Sequence, residues 1–362
     1  MEPEGSLVLI VPGRLETSSG GYGYDRRIVA GLRDRGWSVA VRALDESFPR
    51  PSPAALDHAA RVLAAIPGGS TVLVDGLALG AMPVEVERER GRLRLVALVH
   101  HPLAAETGID DEAAAVLESS ERRALAAVGR VVVTSDATVA ALTRYGVGRD
   151  RIAVVEPGTD RAPVARGSRG GPLHLLCVAA LIPRKGHEIL VRALASIPDR
   201  SWRLTCAGTL RRDPATVERL REHARAEGLE DLVSLAGELD ETNLGACYDS
   251  ADVFVLPTFY EGYGMAVAEA LARGLPVIST PTGAIPDLVA GGAGLLVPPG
   301  DSEALAAALS RILGDTRFRA QLAEGARKVR DRLPSWPDAA GKMAAVLRRE
   351  PAGSGTAMNL TS

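Results

Sequence analysis

The stretch PTFYEGYGMAVAEALARGLPVIS, residues 257–279, combines the features from which the fold of this chain can be inferred. It follows the apolar run DVFVLP, opens a helix near Gly264 and ends in a second short apolar run. A strand, a glycine-containing loop, a helix and another strand in this order are typical of a doubly wound parallel sheet. The stretch also carries two carboxylates, Glu261 and Glu269, among small and apolar residues, so it raises the question of what these charges bind.

Runs rich in Val, Ile and Leu alternate with helical patterns along the whole chain. Continuous apolar strands are typical of parallel sheets that are covered by helices on both faces. The runs of the first half are SLVLIVP, WSVAVRAL, STVLVDG, LRLVALVHHP, GRVVVTS and RIAVVEPG, and those of the second half are LHLLCVAAL, WRLTCAG, LVSLAG, ADVFVLP, LPVIST and AGLLVP.

A Gly/Arg/Pro-rich interval at residues 157–172 separates the two halves and has the composition of a linker. We therefore predict an α/β protein with two Rossmann-like domains, residues 1–160 and 161–334, that face each other across a cleft. Ligands of open parallel sheets bind beyond the carboxyl ends of the strands, which predicts a site in that cleft. After the break at SWP, residues 335–350 are predicted to form a helix that crosses back to the first domain, and residues 351–362 a disordered tail.

Composition excludes several classes of function. The formal net charge is −3 and no block of Lys and Arg appears, so nucleic acid is not the expected partner. Residues 84–95 interleave both signs of charge, which indicates a solvated face, and membrane contact is expected to be peripheral at most. Cys177, Cys206 and Cys247 are an odd number at wide spacing and are predicted to be reduced. No signal or membrane-spanning pattern is visible, so a cytoplasmic location is expected.

The start of the helix after Gly264 is predicted to bind an anion. Its first amides, at Gly264, Met265 and Ala266, have no partner within the helix. Glu269 lies one turn further on the same face and reaches back toward these amides, so both acids are expected to converge on one pocket. An ion pair between Glu269 and Arg273 at the helix surface is the alternative, although the apolar neighbours leave little solvated face.

These residues resemble a known family. FYEGYGMAVAEALARGLPVIST resembles the Glu-x7-Glu signature of retaining GT-B glycosyltransferases of family 4, also called group 1. The resemblance covers nearly the whole chain and implies the GT-B fold. It includes GGYGYDRRIVAGLRDRGWSV, VALVHH, IPRKGHEILVRALA, AGLLVPPGD and the terminal SWPDAA.

The resemblance implies separate roles for the two acids. Glu269 matches the acid that binds the ribose of the nucleotide, and Glu261 matches the acid that contacts the donor sugar. The amides of Gly264, Met265 and Ala266 would surround the sugar and the diphosphate.

The resemblance also implies a lysine at the diphosphate, which is Lys185 in PRKGH. The family usually has an arginine five positions earlier, where this chain has Ala180. Arg184 is the candidate for the second positive charge. As an alternative, Lys185 is a surface cation at a helix start, where the helix dipole disfavours it unless an anion binds.

Three further places are implied by the resemblance. The loop with Gly20 and Gly21 would approach the diphosphate and the donor sugar, although two glycines are also compatible with a plain strand-to-helix turn. Their spacing is not the dinucleotide GxGxxG, so NAD is not expected. His100 matches a histidine near the donor sugar, whereas its neighbour His101 is compatible with a loop role. The base would be held by the backbone from Gly237 to Leu239.

The predicted function is that of a retaining glycosyltransferase that moves a sugar from a nucleotide diphosphate sugar to an acceptor hydroxyl. A UDP-sugar is favoured, with GDP- and ADP-sugars as alternatives. No metal and no further cofactor are expected, because no Cys/His/Asp cluster stands at ligand spacing in the sequence. Two other functions remain open: a nucleotide-sugar epimerase, which would turn over the donor without an acceptor, and a non-catalytic nucleotide-sugar sensor.

Overall fold

The computed structural model describes residues 4–17, 19–105 and 109–349. The chain divides into two compact units. The first comprises residues 4–17, 21–157 and 336–349, and the second comprises residues 19–20 and 158–335. The main division thus falls between residues 157 and 158, beside the boundary predicted from the linker. The predicted tail, residues 351–362, lies outside the described residues.

The first unit alternates strands and helices in the order that the apolar runs predict. Serine and aspartate side chains cap α2, α5 and α6 by accepting a backbone N–H of the first turn. The elements are β1 (Gly5–Pro12), α1 (Gly20–Asp34), β2 (Trp37–Leu44), α2 (Pro53–Ala64), β3 (Thr71–Asp75), α3 (Gly76–Leu79), α4 (Pro83–Glu89), β4 (Arg94–Val99), α5 (Asp111–Ala127), β5 (Arg130–Val133), α6 (Asp136–Arg144) and β6 (Ile152–Val154).

These six strands form one parallel sheet with the order β2-β1-β3-β4-β5-β6. The strand order reverses between β1 and β3, because the chain leaves β1 toward β2 on one side and leaves β3 toward β4 on the other. Ligands of such sheets bind where the order reverses, beyond the carboxyl ends of the strands. In this unit that place is formed by the residues after β1, β3 and β4.

The second unit repeats the pattern. Aspartate side chains cap α8, α9, α12 and α13. The elements are β7 (Leu173–Val178), α7 (His187–Ala195), β8 (Trp202–Ala207), α8 (Pro214–Ala226), β9 (Val233–Gly237), α9 (Glu241–Ser250), β10 (Val253–Leu256), α10 (Met265–Ala272), β11 (Val277–Ser279), α11 (Ile285–Leu288), β12 (Gly294–Leu296), α12 (Ser302–Gly314) and α13 (Thr316–Arg330).

The second sheet is also parallel and has the order β12-β11-β10-β7-β8-β9. Its order reverses between β7 and β10. The loops that follow these two strands carry Lys185 and Glu261, respectively. The twelve predicted strands are therefore confirmed, and both sheets are of the Rossmann-like type.

The last helix, α14 (Trp336–Arg348), belongs to the first unit. Its Trp336 ring meets the edge of Tyr24 at 6.0 Å between ring centroids, and the Pro337 carbonyl accepts a hydrogen bond of 2.8 Å from Arg35. A Cβ on Gly31 would stand 2.6 Å from the Cβ of Ala340. Since this separation is too short for two carbon atoms, α1 and α14 can approach so closely only with glycine at position 31.

Each unit has its own apolar core around its sheet. Cys177 and Cys206 are neighbours on β7 and β8 in the second core and are buried and free, whereas Cys247 is half-buried. Within the part of the chain that the structure describes, no helix is both long and apolar enough to cross a membrane.

Candidate active site

Two loops at the point where the second sheet reverses its order bring Lys185 and Glu261 together. The Lys185 ammonium donates a hydrogen bond to Oε1 of Glu261, so the two form an ion pair between side chains that are 15% and 12% exposed. Burial by itself raises the pKa of Glu261. The charges of Lys185 and Arg184 outweigh burial, and the pKa of Glu261 is lowered. Glu261 is therefore an anion held by cations at neutral pH.

The backbone of both loops is fixed by further hydrogen bonds. Arg184 donates from Nη1 to the Tyr260 carbonyl at 2.7 Å, and the Phe259 amide donates to the Arg184 carbonyl at 2.8 Å. The Thr258 hydroxyl lies 3.0 Å from the carbonyl oxygens of both Arg184 and Tyr260. The half-buried Arg184 thus joins the loop after β7 to the loop that carries Glu261.

Two glycines allow the backbones of the site to approach closely. Gly186 has φ +72°, and a Cβ there would stand 2.0 Å from the Pro257 carbonyl oxygen. Gly283 has φ +55°, and a Cβ there would stand 1.9 Å from the Glu261 carbonyl oxygen. Any side chain at either position would displace the loop that presents Glu261.

Helix α10 begins where the sequence predicts. Gly264 is its N-cap residue with φ +95°, a left-handed conformation that favours glycine, and it provides no side-chain cap. The first amides of the helix, at Met265 and Ala266, therefore have no capping side chain and stand ready for an acceptor. Met265 and Ala266 are half-buried.

The hydrogen-bond partners of Glu269 differ from those of Glu261. The Tyr248 hydroxyl donates to Oε2 of Glu269 at 2.9 Å. Arg273 donates to the main-chain carbonyl of Glu269 at 3.1 Å, and its guanidinium lies 4.3 Å from the centroid of the Tyr248 ring. Burial raises the pKa of Glu269, against the opposing effects of Tyr248 and Arg273. The contact of Arg273 with the carbonyl differs from the surface ion pair considered as an alternative above.

The predicted base-binding segment follows β9. Gly237 ends that strand with φ +71°, and its carbonyl accepts a hydrogen bond of 2.8 Å from the Gly208 amide. Leu239 is half-buried, just before α9. Ala180, where the resembling family has arginine, is a half-buried residue of the loop after β7.

A second group of polar side chains lies where the order of the first sheet reverses. Nε2 of His100 lies 3.3 Å from Oδ1 of Asp25 and 3.7 Å from Oδ2 of Asp75. Asp25 is 1% exposed, and neither of its carboxylate oxygens accepts a hydrogen bond within the described part of the chain. Asp75 accepts the Leu77 amide at 2.7 Å. We call Asp25, Asp75 and His100 the acid–histidine cluster.

The pKa values of Asp75 and His100 are both raised, although burial acts on them in opposite directions. Burial raises the pKa of Asp75 to about 7, with the charge of Asp25 adding to the rise and His100 opposing it. Burial lowers the pKa of His100, but Asp25 and Asp75 outweigh burial and the pKa is raised. Asp75 and His100 therefore tend to retain protons at neutral pH.

The donor atoms of the acid–histidine cluster lie within 4.8 Å of one another, a spacing that is also compatible with a shared cation. No fourth His, Cys, Asp or Glu among the described residues joins them. We assign no metal ion to the cluster.

The two predicted glycines at the start of α1 have different surroundings. A Cβ on Gly21 would stand 3.2 Å from Cδ2 of His100, so a glycine there lets α1 pack against the imidazole. Gly20 is the exposed first residue of α1, and a Cβ there would meet nothing within 4 Å. His101 is half-buried in the loop after β4.

Sequence reasoning missed Asp25, Asp75 and Tyr248. Asp25 carries a signal that could have revealed it, because it occupies the apolar face of α1 with Ile28, Val29 and Leu32. Asp75 ends the apolar run of β3, the position where functional side chains of parallel sheets lie. Tyr248 shows no such signal, since its partner Glu269 lies on another helix.

Two family profiles match the chain. The profile described as "Glycosyl transferases group 1" matches residues 159–329, and that described as "Glycosyltransferase Family 4" matches residues 26–162. The two matches meet near the division between the units and together extend over most of the chain.

Curated relatives and solved structures agree with these profiles. An MMP alpha-(1->4)-mannosyltransferase of Mycolicibacterium hassiacum is 28% identical over 318 residues, which are 83% of this chain and 76% of that protein. The chain spans only about half the length of several D-inositol 3-phosphate glycosyltransferases that it also matches, for example 52% of that of Corynebacterium glutamicum.

Two solved structures have the same fold over nearly the whole chain. Sucrose-phosphate synthase from Thermosynechococcus elongatus has a TM-score of 0.81 at 24% identity and covers 95% of this chain and 98% of its own. Anabaena HepE in complex with UDP-glucose has a TM-score of 0.76 at 18% identity and covers 94% of this chain and 99% of its own.

Proposed function

We propose, from the premise that this chain belongs to the group 1 glycosyltransferases of family 4, that it moves a sugar from a nucleotide diphosphate sugar to an acceptor hydroxyl with retention of the anomeric configuration. The second unit would bind the donor. The acceptor, a glycan, a lipid-linked molecule or a small molecule, and the linkage are left to experiment, because the first unit provides no motif that identifies them.

One observation carries the proposal: the ion pair of Lys185 and Glu261 beside the uncapped start of α10. A cation and free amides suit a diphosphate, and an adjacent carboxylate suits the hydroxyl groups of a sugar. A donor that has both groups can take over contacts of Lys185 and Glu261 with little change of the surrounding backbone, which the hydrogen bonds of Arg184 and Thr258 hold in place.

The proposed chemistry is electrostatic. When the bond between sugar and diphosphate breaks, negative charge grows on the leaving phosphate. Lys185, Arg184 and the α10 amides would stabilise this charge more strongly in the transition state than in the ground state, because they are fixed before the reaction and half shielded from water. In the proposed mechanism the acceptor attacks from the face that the diphosphate leaves, and the leaving phosphate accepts the acceptor proton.

Retention in glycoside hydrolases requires a carboxylate nucleophile close to the anomeric carbon. Glu261 is the candidate for such a role here by chemistry alone. Its engagement with Lys185 favours instead a role in holding hydroxyl groups of the sugar, because a carboxylate that is neutralised by a cation is a weaker nucleophile.

The nucleotide would be recognised by Glu269 and by the segment from Gly237 to Leu239. Tyr248 donates one hydrogen bond to Glu269. A carboxylate can accept several hydrogen bonds, so Glu269 has capacity for further donors such as the ribose hydroxyls. His100 in the first unit is the proposed contact to the donor sugar, and Gly20 and Gly21 are proposed to let the donor approach the start of α1.

A panel of nucleotides tests the proposal. The melting temperature is measured with UDP, GDP and ADP, since a ligand at 100 times its dissociation constant adds about 2.7 kcal/mol of stability. We expect UDP to raise it most, in keeping with the UDP-glucose complex of the similarly folded HepE. Lys185→Ala should abolish the shift, whereas Lys328→Ala, an exposed lysine of the same unit, should leave it unchanged.

Transfer itself is tested by incubating the protein with the preferred nucleotide's sugars and a set of acceptor alcohols and sugars. The anomeric proton of the product, observed by NMR, gives the stereochemistry. Inversion of the anomeric configuration would contradict a retaining mechanism. Conversion of the donor to an epimer without an acceptor would show that the protein is an epimerase. Binding of a nucleotide without turnover of any donor would favour a sensor.

A further inference from the structure

The acid–histidine cluster contains a buried carboxylate that needs explanation. Asp25 is 1% exposed, and its two oxygens accept no hydrogen bond from the described residues. Leaving an ionised carboxylate in such a place destabilises the fold unless a charge or proton compensates it. The groups that could do so are close at hand, since the Asp25, Asp75 and His100 donor atoms lie within 4.8 Å of one another.

His100 is the member of the cluster that reaches the surface. Its side chain is 17% exposed, whereas those of Asp25 and Asp75 are 0% and 3% exposed. Its Nε2 is buried and faces the acids, so the exposed part of the side chain lies elsewhere on the histidine. The ring is also held in orientation, because the Tyr24 ring meets it edge-on at 5.3 Å and Gly21 packs near Cδ2.

Among the described residues, three titratable groups face His100, and two of them, Asp25 and Asp75, determine its charge near pH 7. Tyr24 and Asp25 face it from α1, and Asp75 faces it from the end of β3. Burial raises the pKa of Tyr24 well above its usual value, so this tyrosine stays neutral near pH 7. The Tyr24 hydroxyl donates to the Val155 carbonyl at 2.9 Å, so its proton is already engaged in a hydrogen bond.

We propose that Asp25 and Asp75 are positioning residues that share one proton and hold His100 as an imidazolium, so that its exposed side presents a fixed, positively charged hydrogen-bond donor. A shared proton gives Asp25 the partner that it lacks and leaves one negative charge to balance the imidazolium. The part of this inference that concerns the donor sugar rests on the function proposed above. The protonation of the cluster does not.

The direct test is the titration of His100 by NMR of protein labelled with ¹⁵N in its imidazole rings. The chain has six histidines, and the His100 signal is identified by its loss in His100→Gln. We expect a pKa above 6.5 in the wild-type protein. The double variant Asp25→Asn/Asp75→Asn should lower it by about 1 unit or more, because the negative charge beside the imidazolium is removed. Either single variant leaves one carboxylate that ionises without a shared proton, so it should lower the pKa of His100 less than the double variant does.

Asp45→Asn is the matched control. Asp45 is an exposed aspartate of the same unit that lies near His58, so its loss can affect the His58 signal but not that of His100. The melting temperatures of the variants show whether they are folded. A wild-type pKa of His100 at or below 6.5, or one that the folded double variant Asp25→Asn/Asp75→Asn leaves unchanged, would overturn the proposal.

A bound cation is the rival occupant of the cluster, and the same titration recognises it. If His100 titrates normally only after treatment with a chelator, and a divalent metal is found in equimolar amount by mass spectrometry, the shared proton is wrong. Identical titrations with and without the chelator support it.

Kinetics separate this inference from the function on which part of it rests. With a productive donor, the double variant Asp25→Asn/Asp75→Asn should lower kcat by about tenfold or more and shift the alkaline limb of the pH profile downward, as the pKa of His100 shifts. An unchanged pH profile would contradict the positioning role. If His100 titrates as expected while no donor is turned over, the proposed function fails and the proton-sharing cluster stands.

Discussion

The Lys185 ammonium binds the Glu261 carboxylate, although 76 positions separate the two residues in the sequence. They meet because β7 and β10 are neighbours in the second sheet, so that the loops beyond their carboxyl ends come together. The group proposed to bind the diphosphate and the group proposed to bind sugar hydroxyls thus neutralise each other in the structure. This pair keeps both side chains ordered, and a donor would exchange one set of charge-assisted hydrogen bonds for another.

The two acids of the Glu-x7-Glu motif should have separable effects. Glu269→Ala should weaken binding of the free nucleotide, because its carboxylate is the proposed ribose ligand. Glu261→Ala should chiefly lower kcat, with a smaller effect on nucleotide affinity. Calorimetric binding of the nucleotide and steady-state rates for both variants measure the difference. Glu303→Gln, an exposed acid of the same unit, serves as the control. Near-normal activity in both variants would show that the pocket is assigned wrongly.

The positions of the strands could be predicted from sequence because each is a short run of mostly apolar residues with loops on both sides. The loop and the helix start around Gly264 could also be predicted, since Gly264 adopts a left-handed conformation that the sequence EGYG suggests. Each of these features depends on residues that are close together in the chain.

Contacts between distant segments could not be predicted in the same way. The ion pair of Lys185 and Glu261, the bond from Tyr248 to Glu269 and the approach of Asp25 to His100 all depend on which strands and helices become neighbours. Periodicity indicates that a parallel sheet forms but not the order of its strands, and that order decides which loops meet. The resemblance to a family provided roles for single residues but not their partners.

Activity is expected to survive removal of metal ions. Lys185, Arg184 and the amides of α10 provide the positive charge that a divalent cation supplies in many other nucleotide-dependent enzymes. Rates are compared before and after dialysis against a chelator, and again after addition of magnesium or manganese. Complete loss of activity that either metal restores would contradict a metal-independent mechanism and would draw attention to the acid–histidine cluster.

Glu121 on α5 should make the stability of the protein depend on pH. It is 1% exposed, and its Oε2 accepts the Leu103 amide at 2.9 Å. Burial raises its pKa from 4.5 to about 8. The folded protein therefore holds this proton more tightly than the unfolded chain, and the contribution of Glu121 to stability falls as the pH rises from about 4.5 to about 8.

Glu121→Gln should remove that penalty, because the amide oxygen of glutamine can still accept the Leu103 N–H. We expect the variant to melt roughly 3 °C or more above the wild-type protein at pH 9 and the difference to shrink toward pH 5. Glu112→Gln, an exposed acid on the same helix, should show no such trend. A difference that is independent of pH would mean that Glu121 ionises as freely in the folded protein as in the unfolded chain.

Ala180 stands where the resembling family usually has an arginine. Arg184 is half-buried, donates to the Tyr260 carbonyl at 2.7 Å and helps to lower the pKa of Glu261. If it serves as the second cation at the diphosphate, Arg184→Ala should reduce kcat about as much as Lys185→Ala, which at roughly 3 kcal/mol is about a hundredfold. Arg184→Lys retains the charge but lacks the planar guanidinium that donates several hydrogen bonds at once. If the charge at position 184 matters, this variant should be faster than Arg184→Ala. If the hydrogen bond to the Tyr260 carbonyl matters, it should be nearly as slow. Steady-state rates at saturating donor decide between these roles. A nearly unchanged kcat in Arg184→Ala, together with a strongly reduced kcat in Lys185→Ala, would instead show that one side-chain cation suffices where the resembling family usually has two.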